Sequence, residues 1–136
     1  MNETAVAAQP RTWHRVFPAT PDQAGEARRF LAALLADHPV AHDAVMCLSE
    51  LAANAIRHSR SARPGGTFQI RLRRAGAAIR VEVTDQGGPW GSPPHDPERG
   101  RGLLVVRAIA SRCDIVLTGH RDNPDQRTVW YEIDPL

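Results

Sequence analysis

The stretch "TFQIRLRRAGAAIRVEVTD", Thr67 to Asp85, alternates apolar and polar side chains with a period of two on either side of Ala75-Gly76-Ala77. Successive side chains on a strand point to opposite faces, so the pattern predicts two strands joined as a hairpin with one apolar face. In the second strand Ile79, Val81 and Val83 alternate with Arg80, Glu82 and Thr84, which puts Asp85 in the apolar series. A carboxylate thus points toward whatever layer covers that face. Burying it without a partner is expensive, so it needs a donor such as backbone amides or a ligand. A turn residue ahead of Gly87 and Gly88 is the competing reading.

Outward from the hairpin, the elements alternate. "WHRVFPA" is a strand ended by Pro18, and "TPDQAGEARRFLAALLADHP" carries Phe30, Leu31, Leu34 and Leu35 at helical spacing. After Pro39, "AHDAVMCLSELAANAIRHSR" predicts a second helix, broken by "SARPGG". "QGGPWGSPPHDPERGRG" is longer than a connector needs, and loops of that kind are functional or mobile. "LLVVRAIASR" predicts a third helix starting at about Leu103, before "DIVLTGH" and "RTVWYEID" form a closing antiparallel pair. The order β-α-α-β-β-α-β-β implies a two-layer α/β sandwich: a mostly antiparallel mixed sheet with three helices on one face. Residues 1–12, small and punctuated by proline, read as a flexible arm, and residues 13–136 as a single domain.

Composition narrows the chemistry. The 136 residues carry 17 basic and 15 acidic side chains, spread rather than blocked, which argues against nucleic acid as a direct partner. All the basic ones are arginine, so phosphate-loop, kinase-strand and Schiff-base lysines are excluded. No apolar run reaches the roughly 20 residues of a membrane span, and "MNETAVAAQPR" lacks the marks of an export signal, so a cytoplasmic location is expected. Cys47 and Cys113 read as reduced packing residues.

Two further features carry chemistry. At ~100° per residue, Asp43, Asn54 and Arg57 fall within about 40° of Glu50 on the second helix, with His58 at about 80°. Val45, Leu48, Ala52, Ala55 and Ile56 lie opposite, while Met46 and Cys47 fall on the polar side. This face is either a solvated stripe of charge pairs or a site, and Asn54, a mediocre helix former, has no structural need to be there. In "RGRGLLVV", Gly100 and Gly102 stand just before the predicted third helix, where bare amides form an anion site; a plain loop is the alternative.

In this order, "ELAANAIRHS", "DQGG" and "GRGL" resemble the asparagine box and the two glycine boxes of the ATP-binding family that includes gyrase, the ninety-kilodalton heat-shock chaperone and bacterial histidine kinases. "FPATPDQ", "GGPW" and "TVWYEID" resemble the family's anti-sigma-factor serine/threonine kinase branch. The likeness runs from Val16 to Asp134, and it departs where Pro89 replaces a customary glycine.

The resemblance implies the histidine kinase-like ATPase fold with ATP and Mg²⁺ as cofactors. It makes Asn54 the Mg²⁺ ligand and Asp85 the acceptor for the adenine amino group. Gly87 and Gly88 would line the base pocket, and Gly100, Arg101, Gly102 and Leu103 would hold the phosphates with the following amides. Glu50 would be the general base beside the γ-phosphate, and Arg57 and Arg101 are candidates to offset phosphate charge. The implied partners are an anti-anti-sigma factor of the STAS type and a sigma factor, with a homodimer left open and no membrane involved. The alternative is a catalytically silent regulator that docks in an ATP-dependent way.

Overall fold

The computed structural model describes residues 10–58, 63–87, 97–119, 121–122 and 125–135, with position 58 and positions 97–102 described by backbone alone. In chain order these form β1 (Arg11–Pro18), α1 (Gln23–Leu34), α2 (Ala41–His58), β2 (Thr67–Ala75), β3 (Ala78–Asp85), α3 (Pro97–Ile109), β4 (Arg112–Leu117) and β5 (Arg127–Ile133). The element order is the one the periodicities predict. β1 begins at Arg11, so the last two residues of the predicted arm are instead paired with β2 at Arg74 and Arg73.

The strands form one sheet in the order β1-β2-β3-β5-β4. All four pairings are antiparallel, so the sheet is antiparallel throughout rather than mixed. Gly76 and Ala77 turn the β2–β3 hairpin, with Gly76 at φ 64°, a first-position conformation that favours glycine in a two-residue turn. The alternation holds: Ile79, Val81, Val83 and Asp85 are buried, as are Phe68, Ile70 and Leu72 on β2 and Val129, Tyr131 and Ile133 on β5. This inner face meets the helices in one apolar cluster. Phe17 stacks on Phe68 at 5.4 Å and meets Phe30 of α1 edge-on at 5.6 Å.

α2 lies between α1 and α3 and over β3, and is therefore buried over a wider arc than a surface helix. Ala44, Cys47, Leu48, Leu51, Ala52, Ala55 and Ile56 are all buried. Cys47, which the helical projection put on the polar side, is a core residue because α3 covers that flank. Its thiol is pushed up to about 12, chiefly by burial. The buried Tyr131 hydroxyl donates to the Ala44 carbonyl at 2.7 Å and ties the sheet to α2.

On the outer face Arg80 lies 4.1 Å from the Trp130 ring centroid and pairs with Glu82 at 2.9 Å and Glu132 at 3.1 Å. Trp130 thus lies out of phase with the buried Val129, Tyr131 and Ile133 and is clamped by a guanidinium.

Candidate functional site

Glu50, Asn54 and Arg57 do come together. Positions 49, 50, 53, 54 and 57 form a stripe at i, i+3 and i+4 spacing on α2, and it faces Ala24 and Arg28 of α1 across a cleft of about 390 Å³. Ala24 and Ala53 have too little bulk to fill the groove between the helices. Arg28 reaches across it, its Nη1 donating to Ser49 Oγ at 3.4 Å. The cleft thus sets one carboxylate and one amide beside two guanidiniums.

Asn54 is only half-buried, but its Nδ2 is fully enclosed and has no hydrogen-bond partner among the described residues. An enclosed amide with unmet capacity is costly, on the order of 1–3 kcal/mol, and native structures keep few of them. Enclosed, that nitrogen is out of a ligand's reach, and Asn54 enters the cleft as one of its lining residues. Mg²⁺ takes one or two protein oxygens while keeping phosphate oxygens and waters. The donor set here fits that chemistry: Asn54 supplies one neutral oxygen, and the arginines supply the counter-charge.

Asp85 lies apart from the residues that line this cleft. It is 6% exposed, and Arg127, 3% exposed, is its register partner on β5. Arg127 Nε lies 3.2 Å from Oδ1 and 3.3 Å from Oδ2, while the Gly87 N–H donates to Oδ1 at 2.7 Å. Both of the sequence's readings are thus present in one residue: an inward-facing carboxylate that also closes an Asx-type turn. Burial pushes the Asp85 carboxyl above its ordinary value, and Arg127 and the Gly87 N–H offset part of that rise. Gly87, at φ 72°, cannot be replaced freely, because a Cβ there would collide with the Asp125 carbonyl. Gly88 lies outside the described residues.

The third helix corrects an expectation. α3 begins at Pro97, not near Leu103, so Gly100, Arg101 and Gly102 lie within the helix rather than before it. Pro97 explains the early start, since its fixed φ suits a first helical position and it has no N–H to leave unpaired. Leu103 packs partly buried against the core. Its amide belongs to the helix body and not to a bare first turn.

Two residues of this region escape the sequence reading. Arg28 cannot be assigned without knowing how α1 lies on α2. Arg127 is within reach, because it shares the inward phase of Val129, Tyr131 and Ile133.

No curated protein matches the chain. Among solved structures, the RsbU and RsbW domains of Rv1364c from Mycobacterium tuberculosis superpose with a TM-score of 0.68 at 23% identity, over 91% of this chain and 32% of that one. The present chain therefore spans about a third of that structure's length, and the likeness is one of fold. The profile of the histidine kinase-like ATPase domain matches residues 17–130, which include the α2 stripe, Asp85 and the α3 glycines. By that match the chain belongs to the histidine kinase-like ATPase domain family.

Proposed function

We propose that this chain binds ATP with Mg²⁺ and transfers the γ-phosphoryl group to a serine or threonine of an anti-anti-sigma factor of the STAS type, and that it also restrains a sigma factor by binding it. The observation that carries the reading is the α1–α2 cleft, where Glu50 and Asn54 line one groove with Arg57 of α2 and Arg28 of α1. Family membership supports the nucleotide. The kinase branch and its partners rest on the motif resemblance, with support from a fold shared with a structure that contains an RsbW domain.

In this reading Asn54 holds the cation through its side-chain oxygen, and Asp85 accepts from the base. Mg²⁺, when bound, offsets charge on the phosphates. Glu50 takes the proton of the acceptor hydroxyl as that oxygen attacks the γ-phosphorus and the bond to ADP breaks. Arg57 and Arg28 supply positive charge at the cleft, as a chain without lysine requires. Leu103, Gly100, Arg101, Gly102 and Gly88 keep their proposed place beside the nucleotide, with the α3 residues contributing from a formed helix.

The test has two stages. Mg-ATP at a hundred times its Kd adds ~2.7 kcal/mol to the folded state and raises the melting temperature accordingly. ATP labelled at the γ-phosphate is then incubated with the protein and STAS-domain proteins encoded beside it. Label on serine or threonine is the expected result. ATP binding without label on any cognate partner would favour the silent docking regulator.

A further inference from the structure

We propose that Arg127 is the buried counter-ion that keeps Asp85 ionised at the base end of the nucleotide site, a positioning residue that acts through the carboxylate without touching the phosphates. The inference rests on the nucleotide reading given above. It starts from the row Phe17, Phe68, Asp85, Arg127 and Leu117, which crosses the sheet in register. Phe68, beside Asp85 on β2, is hydrocarbon and offers no charge. Among charged groups of the described residues, Arg127 alone bears on Asp85, and the Gly87 N–H is the other polar influence.

The contact is not the parallel fork of a typical arginine–carboxylate pair. Nε straddles the two oxygens at 3.2 and 3.3 Å, longer than the roughly 2.7–2.9 Å of a tight charge-assisted bond. Oδ1 also holds the Gly87 N–H, whereas Oδ2 takes its share of the long Nε contact. A carboxylate has about four acceptor positions, so Oδ2 keeps room for another donor. With a cation already in place, a neutral donor such as a purine amino group can take that position without adding a second charge. The guanidinium supplies charge while the ligand supplies the hydrogen bond. Without the guanidinium, burial acts unopposed and the carboxyl takes up a proton, which weakens it as an acceptor.

The test is calorimetric titration of ATP with MgCl₂ from pH 6 to 8 into wild type, Arg127→Met and Arg127→Lys. Wild type should keep one affinity across the range. Arg127→Met should bind about tenfold more weakly at pH 6 and recover as pH rises, since a charged acceptor exceeds a neutral one by roughly that factor. Arg127→Lys, which restores a cation, should return the flat profile. Wild-type affinity in Arg127→Met, or a loss equal at every pH, overturns the proposal. Should Arg127→Met fail to fold, a carbon-13 titration of the Asp85 carboxyl in wild type and Arg127→Lys decides: ionised at pH 7 in both supports it, protonated in wild type overturns it. A wild type that binds no ATP removes the nucleotide reading, while the same carboxyl titration still decides the counter-ion role.

Discussion

Glu50 sits half-buried on α2, in an open cleft whose enclosed amide, Asn54 Nδ2, has no partner among the described residues. Asp85, at the end of β3, is 6% exposed and already holds a guanidinium and a backbone N–H. The two carboxylates belong to the same proposed site, yet one lines an open cleft and the other is closed in a buried ion pair. The difference separates what a side chain contributes to folding from what it leaves for a ligand. Changes at the buried pair should disturb both stability and affinity, whereas changes in the open set should disturb activity and leave stability nearly alone.

The largest effect expected is on transfer. Glu50→Ala should keep ATP binding, because the residue serves the acceptor hydroxyl, while labelled phosphate on the partner falls by ~10²–10⁴-fold. Equal label in wild type and variant would remove Glu50 from the reaction. Asp85→Asn comes next and should act on both scales. It leaves Arg127 buried without its counter-charge but also relieves the burial of a carboxylate, so the two effects oppose each other and the urea midpoint at neutral pH should fall by less than the ~3–5 kcal/mol of a broken buried pair. In the folded fraction, ATP affinity should drop at least tenfold, the worth of a charge-assisted bond of ~1.5–3 kcal/mol. A stable Asp85→Asn variant with unchanged affinity would break the contrast at its buried end.

Asn54→Ala sharpens the other end. It deletes an amide that has an unmet donor, so stability should move by no more than ~1 kcal/mol in either direction. The magnesium-dependent part of ATP binding should disappear in calorimetry with and without MgCl₂. A variant that keeps the wild-type magnesium response would reduce the α2 stripe to a solvated face.

Much of this contrast is legible in the amino-acid sequence. Period-two alternation puts Asp85 inside, and helical spacing gathers Glu50, Asn54 and Arg57, because both signals depend on neighbours along the chain. Arg127 and Arg28 go unassigned for the opposite reason. Arg127 meets Asp85 only because β5 inserts between β3 and β4, and Arg28 meets Ser49 only because α1 lies along α2. Cys47 falls on the polar arc of a helix projection because the projection does not know that α3 covers its flank. The start of α3 escapes for a local reason: two glycines at ~1 kcal/mol each against alanine argue against helix, and the sequence alone does not weigh the Pro97 start and core packing that outvote them.

The smallest effect is a pair of opposite pH trends that sets the buried carboxylate against an outer-face one. Asp85 is held above its ordinary 3.8 by burial, so the folded state binds its proton more tightly than the unfolded chain. Its contribution is therefore fully present below 3.8 and lost as pH rises through the higher folded value. Glu132 is held below its ordinary 4.5, first by the hydrogen bond from Arg112 and then, against some burial, by that from Arg80. Its contribution is present above 4.5 and lost as pH falls through the lower folded value. Urea midpoints for wild type, Asp85→Asn and Glu132→Gln between pH 7 and 3 should separate the two. The margin of wild type over Asp85→Asn should grow as pH falls, while the margin over Glu132→Gln should shrink below about pH 4.5. For the Glu132 pair, which stays partly in water, the change should not exceed ~1 kcal/mol. If both margins shrink together on acidification, Asp85 is an ordinary ion-paired carboxylate, and the distinction between the buried and open halves of the site loses its electrostatic basis.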